Sequence, residues 1–304
     1  MNLPYLFRKI YHEMVTIRNF IYSKALSILI ILSIVVTLIL LATNLKLMSQ
    51  DIQFGFSERN GRYLNTGDAK IYYEVYGQGQ PVVLLHGGYG YIDGFKQYIP
   101  VLSKEFKVIA IASRGYGKSE IGNTTYSYEL LANDVKKIIE NEGNDKAIVM
   151  GTSDGAMIAY ILASKYPNIV SSVVAMGGPL GTSGYDKEGL DWLRNLNSEE
   201  FKAYRPDLLK IMPQPERYAD FVENLKIMWS TPNILQFDDL RKIECPVLLL
   251  FGDRDLFCTM DHITQIYKSI PGGQLAIIPN STHSDVSFRN TTILKRYILQ
   301  FIRK

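Results

Sequence analysis

The stretch that decides the fold is VMGTSDGAMIAY, Val149–Tyr160. Its serine, Ser153, lies between Gly151 and Gly155, after an apolar run of strand length and before a run with helical periodicity. Gly, Thr, Ser and Asp also suit an ordinary turn, so one interpretation is purely local. In the other interpretation, Ser153 is a nucleophile presented on a sharp strand-to-helix turn, where only glycine fits beside it. The flanking sequence has to decide between the two.

Apolar runs of strand length recur on both sides of this stretch and alternate with helical patterns. Buried strands of a parallel sheet typically read as such continuous runs. The strand-like segments are Lys70–Gly77, Pro81–Gly88, Phe106–Ser119, Lys146–Gly151, Ile169–Gly178, Cys245–Asp255 and Gln274–Pro279. The pattern predicts an α/β fold with a mostly parallel, doubly wound sheet covered by helices on both faces.

The alternation is interrupted at residues 179–239, which are helical in pattern and rich in aromatic residues such as Trp192 and Trp229. About sixty residues between two strands of one sheet predict a lid over the carboxyl edge of the sheet, where open parallel sheets bind ligands. The predicted domain comprises residues 61–304.

A serine nucleophile needs a base, and the chain has four histidines. His12 lies outside the predicted domain, His86 ends a strand in a loop-shaping HGG sequence, and His262 lies in a predicted helix. His283 remains, in the loop after the last strand and therefore at the same sheet edge as Ser153. It is the predicted general base.

The orienting acid comes from FGDRD, which follows another strand. Asp255 is the preferred candidate, because Asp253 lies nearer the strand end and could fold the turn by bonding its own backbone. Asp253 nevertheless stays open as the alternative. The resulting order of Ser153, Asp255 and His283 is one known for nucleophile-elbow enzymes.

Five motifs together carry a resemblance to a family: LLHGGYG, SRGYGKSE, GTSDGA, FGDRD and STHSD. From about residue 62 onward the chain resembles cofactor-free, lid-bearing serine hydrolases of the α/β-hydrolase fold, in particular the biphenyl-hydrolase-like esterases. The resemblance implies that Gly88 supplies an oxyanion-hole N–H, beside that of Asp154, and that Tyr89 lies at the substrate. Ser113 and Thr282 depart from the family pattern, which has an acid and often a glycine there.

The expected activity is hydrolysis of an ester or a related acyl bond in a small molecule, through an acyl-enzyme on Ser153. No metal or other cofactor is expected, because no cysteine or histidine spacing suggests a metal site. An acyltransferase or perhydrolase with the same triad, and a non-hydrolytic receptor on the same fold, remain alternatives. The net charge of +3 is concentrated before residue 50, so nucleic acid is not an expected partner.

Asp154, next to the nucleophile, has two interpretations. A carboxylate in the first turn of a helix is stabilised by the helix dipole, which is a purely structural role. Alternatively, its charge attracts an ammonium group on the substrate, which would favour α-amino esters over neutral ones.

The first sixty residues predict attachment to a membrane. The uncharged run at 25–45 would span about 30 Å as a helix, which is roughly the hydrocarbon thickness of a bilayer. Four basic residues precede the run, so the positive-inside rule places residues 1–24 in the cytoplasm and the catalytic domain outside. Residues 46–60 are interpreted as a tether. A cleaved signal peptide is the alternative.

Overall fold

The computed structural model describes Lys9, residues 11–18, Lys24, and residues 32–40, 54–143 and 146–303. The chain divides into two units, Met1–Ile52 and Gln53–Lys304. In the first unit, residues 11–18 and 32–40 are helical. The second unit contains the sheet and the lid.

Eight strands form one sheet. They are β1 Gly61–Asn65, β2 Lys70–Tyr76, β3 Pro81–Leu85, β4 Lys107–Ile111, β5 Ala147–Thr152, β6 Val170–Met176, β7 Val247–Gly252 and β8 Gln274–Ile278. Their order is β1-β2-β4-β3-β5-β6-β7-β8. β1 pairs with β2, and β2 with β4, in antiparallel fashion, whereas all other pairs are parallel. The predicted mostly parallel α/β sheet is confirmed.

The described residues of the second unit include ten α-helices. They are α1 Ile99–Leu102, α2 Tyr128–Glu142, α3 Asp154–Lys165, α4 Lys187–Asn195, α5 Ser198–Tyr204, α6 Leu208–Ile211, α7 Tyr218–Trp229, α8 Phe237–Leu240, α9 Met260–Ser269 and α10, which begins at Thr291–Ile293 and continues through π-helical Leu294–Ile298 to Leu299–Ile302. The sheet separates two hydrophobic cores, and alternate residues of strands β2 to β8 pack into opposite cores. In β3, Val83 and Leu85 belong to one core, while Val82 and Leu84 belong to the other.

The predicted lid at 179–239 contains helices α4 to α8. It enters from the end of β6 and returns to β7, so it lies at the carboxyl edge that carries the elbow. Its buried aromatic residues, among them Phe201, Phe221 and Trp229, join the core cluster that also contains α3. The lid is therefore packed onto the sheet edge.

The amino-terminal boundary of the domain differs from the prediction. Residues 54–60, assigned to the tether, already pack on the sheet, because the buried carboxylate of Glu74 accepts the N–H groups of Gly55 at 2.9 Å and Ser57 at 2.8 Å. Strand β1 was not predicted either. Its residues are half-buried or exposed, so it lacks the apolar run by which the other strands are recognised.

The predicted membrane helix at 25–45 falls largely outside the described residues. Of this segment, residues 32–40 are helical with exposed side chains. Within the described ranges, no helix is both long enough and apolar enough to cross a bilayer.

Candidate active site

Ser153 has a backbone conformation that residues other than glycine rarely adopt, with φ 51° and ψ −117°. It follows β5 directly and precedes α3, as the sequence predicts. Its N–H donates to the carbonyl of Met176 at 2.8 Å, which ties the turn to the end of β6. Such local strain is held in place by the surrounding structure and is typical of functional sites.

The two glycines of the elbow are required by close backbone approach. A Cβ atom on Gly151 would overlap the backbone of Gly155, and one on Gly155 would overlap the carbonyl of Leu85 in β3. The turn can therefore pass the neighbouring strand only without side chains at these two positions.

The structure brings Ser153, His283 and Asp255 together. The Nε2 atom of His283 lies 2.9 Å from the Oγ of Ser153. On the other side of the ring, Nδ1 lies 2.8 Å from Oδ2 and 3.0 Å from Oδ1 of Asp255. The Asp255 side chain is fully buried and that of His283 is 19% exposed. The imidazole is therefore oriented from one side and open to a substrate from the other.

Asp253 occupies a different position. Its Oδ1 accepts the N–H of Ser281 at 3.0 Å, so its carboxylate links the loop after β7 to the loop after β8. Hydrogen bonds from the backbone N–H groups of Asn280 and Ser281 lower the pKa of Asp253 below its usual range. Of the two candidate acids, Asp255 is the one in contact with His283.

The other two histidines of this domain have packing partners. His86 Nε2 accepts the N–H of Ser113 at 3.0 Å, and its Nδ1 lies 2.8 Å from the carbonyl of Gly87. Burial lowers the pKa of His86 to about 4. His262 Nε2 accepts the N–H of Leu180 at 3.1 Å.

The two departures from the family pattern are accommodated locally. Ser113 contributes its backbone N–H to His86, so the loop is fixed without an acidic side chain there. Thr282 donates both its N–H, at 2.8 Å, and its hydroxyl, at 2.7 Å, to Oδ2 of Asp285. These bonds order the loop immediately before His283.

Asp154 is buried beside the nucleophile, and both of its hydrogen-bond donors are neutral. Its Oδ1 accepts the hydroxyl of Tyr128 at 2.7 Å, and the indole Nε1 of Trp229 lies 3.0 Å from Oδ1 and 2.9 Å from Oδ2. Burial raises the pKa of Asp154, while the two donors and the nearby His283 oppose that rise. Sequence reasoning missed both partners, because they come from helices distant along the chain.

A cavity of about 440 Å³ opens onto Ser153 and His283. Gly88, Tyr89 and Asp154, all selected from the sequence, line it. The predicted lid contributes Trp192, Tyr204 and Trp229 to the cavity wall. The sequence did not assign six further aromatic or basic lining residues to the site, and these are Tyr91, Phe95, Tyr185, Phe257, Phe288 and Arg289. The mixture of large apolar walls and few polar groups is typical of small-molecule sites.

No group of three or more histidine, cysteine or acidic side chains suited to a metal ion occurs in the described part of the chain.

Comparisons with known proteins agree with this fold. A family model described as alpha/beta hydrolase fold matches residues 80–198. The chain is 25% identical to human "Serine hydrolase BPHL", over 76% of this chain and 82% of that protein. It is 26% identical to "2-hydroxy-6-oxononadienedioate/2-hydroxy-6-oxononatrienedioate hydrolase 2" of Pseudomonas putida, over 84% of this chain and 100% of that protein.

Among solved structures, the enol-lactonase from Burkholderia xenovorans LB400 superposes with a TM-score of 0.65 at 16% identity, covering 80% of this chain and 100% of that one. At this identity the likeness concerns the fold.

Proposed function

Because the chain belongs to the α/β-hydrolase superfamily and is a hydrolase, we propose that it cleaves an ester or a related acyl bond of a small molecule through a Ser153–His283–Asp255 triad. The observation that carries the proposal is the continuous hydrogen-bonded path from the Oγ of Ser153 through the imidazole to the buried carboxylate of Asp255. A serine hydroxyl alone is a weak nucleophile, and this arrangement activates it.

The proposed reaction has two halves. In the first, Ser153 Oγ attacks the acyl carbon while His283 Nε2 takes its proton, and the proton then passes to the leaving group as the acyl bond breaks. In the second, water attacks the acyl-enzyme while His283 takes its proton, and the proton then passes to Ser153 Oγ as the bond between Oγ and the acyl carbon breaks. Asp255 stays ionised and stabilises the imidazolium in both halves.

The negative oxygen of each tetrahedral intermediate needs hydrogen-bond donors. We assign these to the backbone N–H groups of Gly88, after β3, and Asp154, at the start of α3. A single such donor typically contributes about 3 kcal/mol to lowering the barrier. The amino terminus of α3 adds positive potential at the same place.

The cavity supports a small-molecule substrate with an apolar portion. Tyr89 contributes an aromatic wall, since its ring stacks on Phe201 with centroids 4.5 Å apart and lies 6.1 Å from Trp229. Asp154 is the proposed contact for a substrate ammonium group. Its buried carboxylate lines the cavity and has two neutral donors, so its negative charge is not paired by a cation among the residues that the structure describes.

We also propose that the amino-terminal segment anchors the protein in a membrane, with its first residues in the cytoplasm and the catalytic domain outside. The proposal depends on the uncharged sequence at 25–45 and the basic residues before it.

Labelling with a fluorophosphonate, which reacts only with an activated serine, tests the central proposal on the full-length protein in detergent. Wild type should be labelled at Ser153 and should hydrolyse a short-chain ester. Ser153→Ala should lose both properties, whereas Ser164→Ala, on the helix after the elbow, should keep both. Labelling without ester hydrolysis, together with transfer to an added acceptor, would favour an acyltransferase. Near wild-type turnover by Ser153→Ala would overturn the assignment.

A further inference from the structure

One lid residue touches both of the loops that carry the proposed oxyanion donors. Trp229, the last residue of α7, is buried, and its indole N–H points at the Asp154 carboxylate, at 2.9 and 3.0 Å from its two oxygens. The benzene half of the same indole lies on Gly88, since a Cβ atom there would overlap its Cζ2. The indole thus spans from the start of α3 to the loop after β3.

Each of these loops is also held by a hydrogen bond from a tyrosine hydroxyl. The hydroxyl of Tyr116 donates to the carbonyl of Gly88, which fixes the peptide plane after that residue. The hydroxyl of Tyr128 donates to Asp154. These two bonds hold each loop from its own side, whereas the Trp229 indole contacts both loops.

We propose that Trp229 is a positioning residue of the oxyanion hole. This inference rests on the proposed function. By fixing the Asp154 side chain and the Gly88 backbone against one rigid indole, Trp229 sets the separation of the two N–H groups that receive the oxyanion. Preorganised donors contribute to catalysis only when they already lie where the negative charge develops, so a small change in this separation lowers the rate.

The position of Trp229 in the lid extends the inference. Its ring lies 5.8 Å from that of Trp192 and 6.2 Å from that of Phe201, so it is held by the aromatic core of the lid. A lid displaced from the sheet edge would carry the indole with it. The lid therefore completes the oxyanion hole in addition to covering the cavity.

The test compares kcat and KM of full-length variants on an acetyl ester, whose small acyl group makes few contacts with the aromatic walls. Trp229→Phe removes the N–H and part of the ring. We expect kcat to fall by about tenfold to a hundredfold with little change in KM, as for an interaction made mainly in the transition state. Tyr218→Phe is the matched control. Tyr218 lies in the same helix as Trp229, and the substitution removes a buried hydroxyl that has no hydrogen-bond partner in the described structure.

A second measurement separates positioning from folding. A trifluoromethyl ketone forms a hemiketal with Ser153: the Oγ–C bond forms, the carbonyl becomes an oxyanion, and the proton goes to His283. Trp229→Phe should weaken binding of this ketone about as much as it lowers kcat, and should leave binding of the matching methyl ketone almost unchanged. In an Asp154→Asn background the effect of Trp229→Phe on kcat should be smaller, since the carboxylate is its partner.

The outcomes distinguish this inference from the proposed function. If Trp229→Phe keeps wild-type kcat and ketone affinity while wild type hydrolyses the ester, the positioning role is wrong and the hydrolase assignment stands. Equal weakening of both ketones would show a general packing effect and would also overturn it. If wild type hydrolyses no ester and Ser153 is not labelled, the proposed function itself fails.

Discussion

The Nδ1 atom of His283 lies 2.8 Å from Oδ2 of Asp255, whose carboxylate is wholly buried. Asp253, two residues earlier in the same loop, instead accepts the N–H of Ser281. The same short sequence therefore supplies one carboxylate that orients a base and one that links the loops after β7 and β8.

This division predicts different outcomes for two similar substitutions. Asp255→Asn should lower kcat by about three to four orders of magnitude, because the amide no longer holds the imidazole in the productive tautomer. Asp253→Asn should affect mainly the thermal stability of the protein. Steady-state kinetics and melting curves of both variants check this. A larger loss of kcat in Asp253→Asn would reverse the assignment.

The Asp154 carboxylate predicts a preference for substrates that carry an amine. The ratio of kcat/KM for an amino ester to that for its des-amino analogue should fall about tenfold or more in Asp154→Asn, because the buried charge is removed. Tyr128→Phe serves as control, since it removes a donor to Asp154 and keeps the charge. The same ratio in wild type and Asp154→Asn would leave Asp154 with only its place at the start of α3.

Because His86 is buried, we expect the free energy of unfolding to fall as the solution becomes mildly acidic. Burial, assisted by the positive charge of Arg205, lowers its folded-state pKa from 6.5 to about 4. Nε2 must also stay unprotonated to accept the N–H of Ser113. The unfolded chain binds this proton below pH 6.5, whereas the folded protein resists it until about pH 4. The free energy of unfolding therefore falls by roughly 3 kcal/mol as the pH is lowered from 6.5 to 4.

His86→Gln removes this titration and keeps an acceptor. The free energy of unfolding, measured by denaturant at several pH values, should then decline less between pH 6.5 and 4. Some decline should remain, because burial also lowers the pKa of His262. An unchanged slope in His86→Gln would contradict the prediction.

Gly155→Ala tests the steric requirement of the elbow. The new Cβ would overlap the backbone carbonyl of Leu85, so the strand or the helix must shift, and overpacking of this kind typically costs about 1–3 kcal/mol. Gly94→Ala is the control, since a Cβ there meets no atom within 4 Å. Melting temperatures should fall for Gly155→Ala only. Equal stability of the two variants would show that the elbow has more room than the structure gives it.

The anchor proposal predicts that the full-length protein fractionates with membranes and that protease added outside intact cells reaches its catalytic domain. A variant with Val35→Arg and Val36→Arg should shift toward the soluble fraction, because charged side chains near the middle of a span are costly. A soluble wild-type form that begins near residue 45 would favour the cleaved signal peptide.

The sequence alone determined the α/β class, the lid insertion and the place of Ser153. These features depend on local signals: continuous apolar runs for strands buried on both faces, and glycines where the backbone passes too close for a side chain. The sequence also placed His283 and the FGDRD loop at the same edge of the sheet, because parallel strands all end at that edge. The sequence did not predict strand β1, because an exposed edge strand carries no such apolar run.

The tertiary structure decided which polar groups touch. The sequence favoured Asp255 over Asp253 but left both open, and only the folded loop after β7 shows that Asp255 contacts His283. Asp154 acquired its partners from Tyr128, 26 residues earlier, and Trp229, 75 residues later. Contacts at such separations depend on how helices pack against the sheet edge, and no local pattern in the chain encodes them.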